Sequence, residues 1–168
     1  MSTKYPLEEV LNIKKRRFDE AVRILEEKKE NLKKEEEKLK QLEEKRDEVL
    51  KHKNDKLTQL RDALDTGQST LKIQAMKQYL ETVESNLVEH QKKVDDQKKQ
   101  VEDAEKQVET AKQNMLQKQK DLEKLRIHKK EWLKEHEKEE KRLEEIKHDE
   151  LGTVIHEIKK RENPHKKS

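Results

Sequence analysis

Seven histidines and a dense population of carboxylates are the side chains here whose types suit acid–base or metal chemistry. His148-Asp149-Glu150 sets a base beside two carboxylates, but consecutive helical residues point about 100° apart, so the three cannot converge on one proton. His52, His90, His128, His136, His148, His156 and His165 fall at spacings that form no ligand cluster, and there is no Cys to join them. The chain carries no phosphate-cradling Gly-rich loop, no dinucleotide fingerprint and no H-E-x-x-H helix. Its Asp and Glu residues are interleaved with Lys and Arg, where they serve solubility and helix-surface pairing. These patterns predict a protein that is not an enzyme and holds no cofactor or metal.

Basic runs are the next candidates. Lys14-Lys15-Arg16-Arg17 is followed by Asp19, Glu20, Glu26 and Glu27, which break up its field. It lacks an aromatic stacking platform or a base-reading module, so it reads first as a solvated charge face and, if it binds anything, suits an acidic protein surface better than nucleic acid. With 42 Lys and Arg against 39 Asp and Glu, the net charge of +3 offers no large field of one sign for nonspecific DNA binding. A second basic stretch closes the chain, where Lys159, Lys160, Arg161, Lys166 and Lys167 are offset only by Glu162, and residues 162–168 read as a solvated basic tail.

The elements that carry these residues follow from composition and period. Only 28% of the 168 residues are hydrophobic, whereas 48% are charged, so the chain cannot fill a compact interior. Either a disordered polyampholyte or an elongated helical assembly with a thin apolar seam fits such a composition. Period decides between them. Leu11, Phe18, Leu25, Leu32, Leu39, Arg46, Lys53 and Leu60 recur every seven residues, and six of these eight are apolar. A weaker set (Leu7, Lys14, Ala21, Lys28, Glu35, Leu42, Val49, Lys56 and Ala63) interleaves with it. In the second half the main set runs Ile73, Leu80, Leu87, Val94, Val101, Val108, Met115, Leu122, Lys129, His136 and Leu143. Its partner set runs Met76, Val83, His90, Gln97, Ala104, Ala111, Lys118, Leu125, Trp132, Glu139 and Ile146. A disordered chain would not hold this phase for roughly ten heptads, and a strict seven-residue repeat implies a left-handed supercoil.

One interruption stands out. Asp65-Thr66-Gly67-Gln68-Ser69-Thr70 gathers turn formers, with Gly67 suited to the left-handed position after a helix and Ser69 or Thr70 to capping the next. The fold class expected is therefore all-α: a long antiparallel two-helix coiled-coil hairpin with a C-terminal helical extension. Helix one spans about 6–65, the connection 66–70 and helix two about 71–161, in a single domain of residues 1–161. A short connection makes the helices antiparallel neighbours, with Phe18 near Met115–Leu122 and Leu7 near the region before Trp132. Helix two then projects roughly 30 residues past the start of helix one. In that extension Leu151, Val154, Ile155 and Ile158 slip out of the earlier phase, and Asn163-Pro164 supplies a stop. A single hairpin satisfies its own seam, so the free chain is expected to be a monomer. No apolar run nears the roughly 20 residues of a bilayer span, and the first residues lead into a charged segment, not a signal-peptide core. With no Cys, the chain suits the cytosol.

Several segments resemble the stalk family associated with flagellar and type III secretion ATPases (FliJ/YscO-like), particularly its chlamydia-like secretion branch. They are Tyr5 through Arg16, Leu60 through Gly67, His128-Lys129-Lys130-Glu131-Trp132 and Asp149-Glu150-Leu151-Gly152. Their order and spacing extend the resemblance over nearly the whole chain. It implies a small cytoplasmic helical hairpin, peripheral to a membrane-embedded secretion apparatus. Such a hairpin works with a hexameric export ATPase, the cytoplasmic domain of the major export-gate protein and, in secretion systems, substrate chaperones. On this reading Tyr5, Leu7, Leu11, Lys14, Lys15, Arg17 and Trp132 face the ATPase, and Gly67 and Tyr79 meet a partner at the turn. Without the resemblance, the residues describe a generic cytoplasmic coiled-coil scaffold or tether.

The antiparallel register makes a direct prediction. Spin labels at positions 18 and 122 are expected to lie close together in a dilute sample. Labels at 18 and 64, on one helix, are expected about 70 Å apart. A long distance for the first pair, measured by pulsed electron resonance, would rule out the hairpin register.

Overall fold

The computed structural model describes residues 4–163. It contains two helices, α1 (Glu8–Asp65) and α2 (Thr70–Glu162). The expected C-terminal tail lies outside the described residues from position 164 onward, as does Pro164 of the anticipated stop. The charged residues that dominate both helices are mostly good helix formers, and Gly and Pro are kept out of α1 altogether. Glu8 and Glu9 occupy the first turn of α1, and Lys159, Lys160 and Arg161 the last turn of α2, each sign complementing the helix dipole.

α1 begins two residues later than the sequence suggests. Pro6 and Leu7 form a turn in which the Glu8 amide donates to the Tyr5 carbonyl at 3.1 Å. The first α-helical bond follows, from the Leu11 amide to the Leu7 carbonyl at 2.9 Å. Leu7 therefore precedes the regular seam and stays 38% exposed.

The end of α1 is closed by its own backbone. Gly67 has φ of 72°, a conformation that side-chain-bearing residues rarely adopt. Its amide donates to the Leu64 carbonyl at 3.3 Å and the Gln68 amide to the Ala63 carbonyl at 3.1 Å, the paired bonds of a Schellman motif. The Thr66 hydroxyl adds a bond to the Asp62 carbonyl at 2.9 Å. Ser69 then caps α2, its hydroxyl accepting from the Lys72 amide at 3.4 Å.

The packing divides into two units, one made of residues 4–18 with 117–163 and the other of Asp19–Leu116. In the unit Asp19–Leu116 the two helices run antiparallel, as the short connection predicts. Lys28 Nζ donates to Gln107 Oε1 at 3.1 Å, Gln97 Nε2 to the Glu35 carbonyl at 3.0 Å, and Arg46 Nη1 to Gln91 Oε1 at 3.4 Å. Lys53 pairs with Glu84 at 3.6 Å, and His52 meets the Tyr79 hydroxyl at 2.8 Å. The partner number falls as the first rises. The buried residues of this unit are small or β-branched in the main: Ala21, Leu25, Ala63, Val83, Val94, Val101, Ala104 and Ala111. Alanines let two backbones approach closely, and Val94 is 0% exposed. Phe18 of the other unit is half-buried, with Leu11 and Leu122 buried in that same unit. Leu32, Leu39, Leu60, Leu80, Leu87, Val108 and Met115 are half-buried, as expected where only two helices share a stripe. No polar or charged residue is buried among the described residues.

Two substitutions test this packing. Leu25→Asp places an unpaired charge at a buried position and is expected to cost several kcal/mol, roughly 3 or more, whereas exposed Glu36→Gln should change stability by less than about 0.5 kcal/mol. Equal urea midpoints would show the seam to be misplaced. His90 Nδ1 is buried without a hydrogen-bond partner. Replacing it by His90→Leu removes that unmet polar atom and is expected to raise stability by about 1 kcal/mol; an unchanged or lower urea midpoint would contradict this.

Candidate partner-binding surfaces

In the unit that joins residues 4–18 to 117–163, the turn at Pro6-Leu7 folds Tyr5 back onto α2. Tyr5 is only 4% exposed although it precedes the helix. Its hydroxyl hydrogen-bonds His128 Nδ1, and its ring meets Trp132 edge-on, centroids 5.6 Å apart. Trp132 in turn stacks on His136, centroids 4.9 Å apart and planes 7° from parallel. Glu8 extends the contact by pairing with Lys129 at 2.8 Å. The result is an aromatic clamp in which the one ring ahead of α1 joins three rings of α2, with favourable edge and stacked geometries. It fixes where the chain enters α1.

The clamp separates the sequence-proposed residues into two kinds. Tyr5 and Leu11 are buried, so they hold the two helices together and present little surface. Lys14 is half-buried on the weaker heptad set, as is Trp132. Lys15, Arg16 and Arg17 are exposed, and Leu7 offers a partly exposed apolar side chain beside them in sequence. The heptad reading gave no place to Tyr5 in the seam and did not anticipate its bond to His128. The only signal available was that a Tyr-Pro step ahead of a helix can turn back on it. The stack of Trp132 on His136, four residues apart on one helix, was legible in principle from the i,i+4 rule.

In the unit Asp19–Leu116, Gly67 lies at the exposed turn and Tyr79 on the first turns of α2. Tyr79 is 47% exposed, with its hydroxyl held by His52 Nε2 and Lys56 Nζ 5.5 Å from its ring centroid. Cation–π contact and hydrogen bond together hold the ring while about half of the residue stays exposed. Lys56, Gln59, Lys72, Ala75 and Met76 surround it as a shallow groove. Leu64 and Leu71, flanking the turn, are also exposed. Gly67 and Tyr79 are not in contact through any hydrogen bond; they share only this end of the helix pair.

The residues first considered for chemistry do not assemble. His148, Asp149 and Glu150 are successive exposed residues of α2. Among the described residues no group of three or more His, Cys, Asp or Glu side chains could hold a metal ion. None of the described helices is long and apolar enough to cross a membrane.

Comparison with known proteins bears on what such surfaces serve. No curated protein matches the chain. A solved structure from Chlamydia trachomatis, described as that of a candidate YscO homolog, CT670, is similar to it. The two share 42% sequence identity with a TM-score of 0.91, over 95% of this chain and 99% of that one. The family model described as YscO-like protein matches residues 2–162. A match over nearly the full length, with the heptads, the Gly67 turn and the entry to α1 all inside it, places the chain in a family: it belongs to the YscO-like proteins.

Proposed function

We propose that this chain is the non-catalytic central stalk of a type III secretion export ATPase, coupling the states of the ATPase ring to the export gate. The observation that carries the reading is the YscO-like match over residues 2–162, which covers both candidate surfaces. The stalk works at the cytoplasmic face of the secretion apparatus, outside the bilayer. Its partners are a hexameric export ATPase, the cytoplasmic domain of the major export-gate protein and substrate chaperones.

The ATPase contact is assigned to the unit containing Tyr5. There the clamp of Tyr5, His128, Trp132 and His136 positions the start of α1, on whose second turn Leu11 is buried. Exposed Lys15 and Arg17, with Leu7 and the half-buried Lys14 and Trp132 nearby, form the contact itself. Cations on a rigid helix favour encounter with an acidic surface and set orientation more than raw affinity. The gate or chaperone contact is assigned to the half-exposed Tyr79 and the turn at Gly67. An aromatic ring already held by His52 and Lys56 loses little freedom on binding, which suits an anchor residue.

Charge reversal tests the ATPase assignment without touching the seam. Lys15→Glu with Arg17→Glu is expected to leave helicity unchanged and to weaken association with the neighbouring export ATPase by tenfold or more at low salt, roughly 1.4 kcal/mol. The difference should shrink as salt rises. Binding and ATPase stimulation equal to wild type at low and physiological salt would reject this basic face. If the unaltered chain neither binds nor stimulates the ATPase, the stalk reading fails and a scaffold or tether remains.

A further inference from the structure

Charge is not spread evenly along the chain. Residues 51–80, the turn with the helix stretches on either side of it, hold six Lys or Arg against three Asp. That surplus equals the net charge of +3 for all 168 residues. The turn end therefore carries the excess of a chain that is otherwise balanced, and it steers anionic partners toward itself.

The cations near the turn fall on different sides of the seam. Lys53 and Lys77 lie on one side, where Lys53 pairs with Glu84 at 3.6 Å and Glu81 also stands. The groove beside Tyr79 lies on the other, lined by Lys56, Gln59, Lys72, Ala75, Met76 and Tyr79. This lining holds two ammonium groups and no carboxylate. Lys56 Nζ donates to the amide oxygen of Gln59 at 3.2 Å and approaches the Tyr79 ring, and neither contact neutralises its charge. Lys72, Ala75, Met76 and Tyr79 stand at i, i+3, i+4 and i+7, so α2 offers one face with an apolar middle. No acidic residue precedes Glu81 in α2. On α1, Asp55 and Asp62 lie beyond Gln59 on the outer flank.

Size and charge together select the occupant. At about 240 Å³ the groove is smaller than the roughly 300–1,000 Å³ of a small-molecule site, so it suits one or two side chains of a protein. A nucleic acid strand needs a cationic track several phosphates long. Here Asp55 and Asp62 would repel a continuous polyanion, whereas a carboxylate entering from the α2 side avoids them. We propose that the groove receives an acidic segment of a partner protein, with a carboxylate beside Lys56 and Lys72 and an apolar side chain against Ala75 and Met76. Lysine–carboxylate pairs in so shallow a groove add little affinity alone, so the apolar side chain is needed as well. The proposal rests on the assignment of this end to the gate or chaperone and names the chemistry of the partner there.

Fluorescence anisotropy of the full chain with a short labelled peptide of Glu and Leu tests that chemistry without a natural partner. It is expected to bind about tenfold more tightly than the same peptide with Gln for Glu, or with Ala for Leu. Lys72→Glu and Tyr79→Ala, both at exposed positions, should keep wild-type helicity and each weaken peptide binding about tenfold. Lys77→Glu makes the same charge change on the other side of the seam and should alter binding less than about twofold. Equal losses in Lys72→Glu and Lys77→Glu would mean attraction to net charge alone and would overturn the proposal. So would equal binding of the Gln peptide, or tighter binding of a labelled oligothymidylate that Lys72→Glu also weakens. The purified cytoplasmic domain of the export gate and the purified chaperones are then titrated with the same variants. If none of them binds the unaltered chain while the peptide results hold, the gate or chaperone assignment fails and the acidic-segment chemistry stands. If one binds wild type and Lys72→Glu equally well, its contact lies elsewhere and the proposal is overturned.

Discussion

Everything in this chain depends on a narrow apolar stripe finding a partner in a sequence that has little else to bury. With 48% charged residues, neither helix can join a layered core. Each can shield only the side chains on one line along its surface. Folding back at Gly67 supplies that partner at the lowest cost in loop entropy, because the connection is only a few residues long. The Schellman bonds at Leu64 and Ala63 then make the reversal part of the helix end itself, not a flexible joint. In the unit Asp19–Leu116 the consequence is a core of Ala, Val and Leu one side chain thick, in which Val94 alone is shielded completely.

Such a stripe has a weakness. Repeating contacts every seven residues allow neighbouring registers nearly as good as the native one. The charged and amide side chains that dilute the heptads remove this ambiguity. Lys28 reaches Gln107, Gln97 reaches the backbone and carboxylate of Glu35, Arg46 reaches Gln91, and Lys53 reaches Glu84. Long stems of Lys and Arg lie over the seam while their heads stay near water, so no charge is buried to obtain these contacts. Each is worth little alone, since partly exposed pairs contribute at most about 1 kcal/mol. A slip by one heptad would break all of them together. Residues that look like defects in the apolar pattern are the ones that distinguish one register from the next.

The same logic explains what could be read from the sequence. The antiparallel fold was legible because the heptads hold one phase and Gly67 sits where the only break occurs. The start of α1 was less legible. Counting by sevens assigned Leu7 to the seam, but counting applies only where the backbone is already helical, and Pro6-Leu7 form a turn. Tyr5, outside any heptad, became the residue that closes onto α2. Nothing in period or composition distinguishes His128 as its hydrogen-bond partner, because that depends on a backbone reversal three residues long. Tyr79 lay beside a seam position in the sequence, but its link to His52 depends on which turn of α1 lies across from it. Short-range period carries helix and phase; cross-helix pairs between polar residues require the register first.

Past His136 the physical situation changes within one helix. The segment keeps helical bonds and gains exposed local pairs: Arg142 with Glu139 at 2.8 Å, His136 with Glu140 at 3.1 Å and Lys141 with Glu137 at 3.5 Å. Pairs of this type add about 0.3–0.5 kcal/mol each to a helix. Isolated helices gain little more than this, and most helical stability in proteins comes from packing an apolar face. A segment with Leu143, Ile146, Leu151 and Ile155 in solvent therefore has the least stabilised backbone of α2, and whatever covers that face also stabilises the helix beneath it. Binding and helix formation are thermodynamically linked there, so covering the face shifts the local equilibrium toward the ordered helix by mass action. The extension is thus where a partner changes the chain most, while the clamped start of α1 is where it changes the chain least.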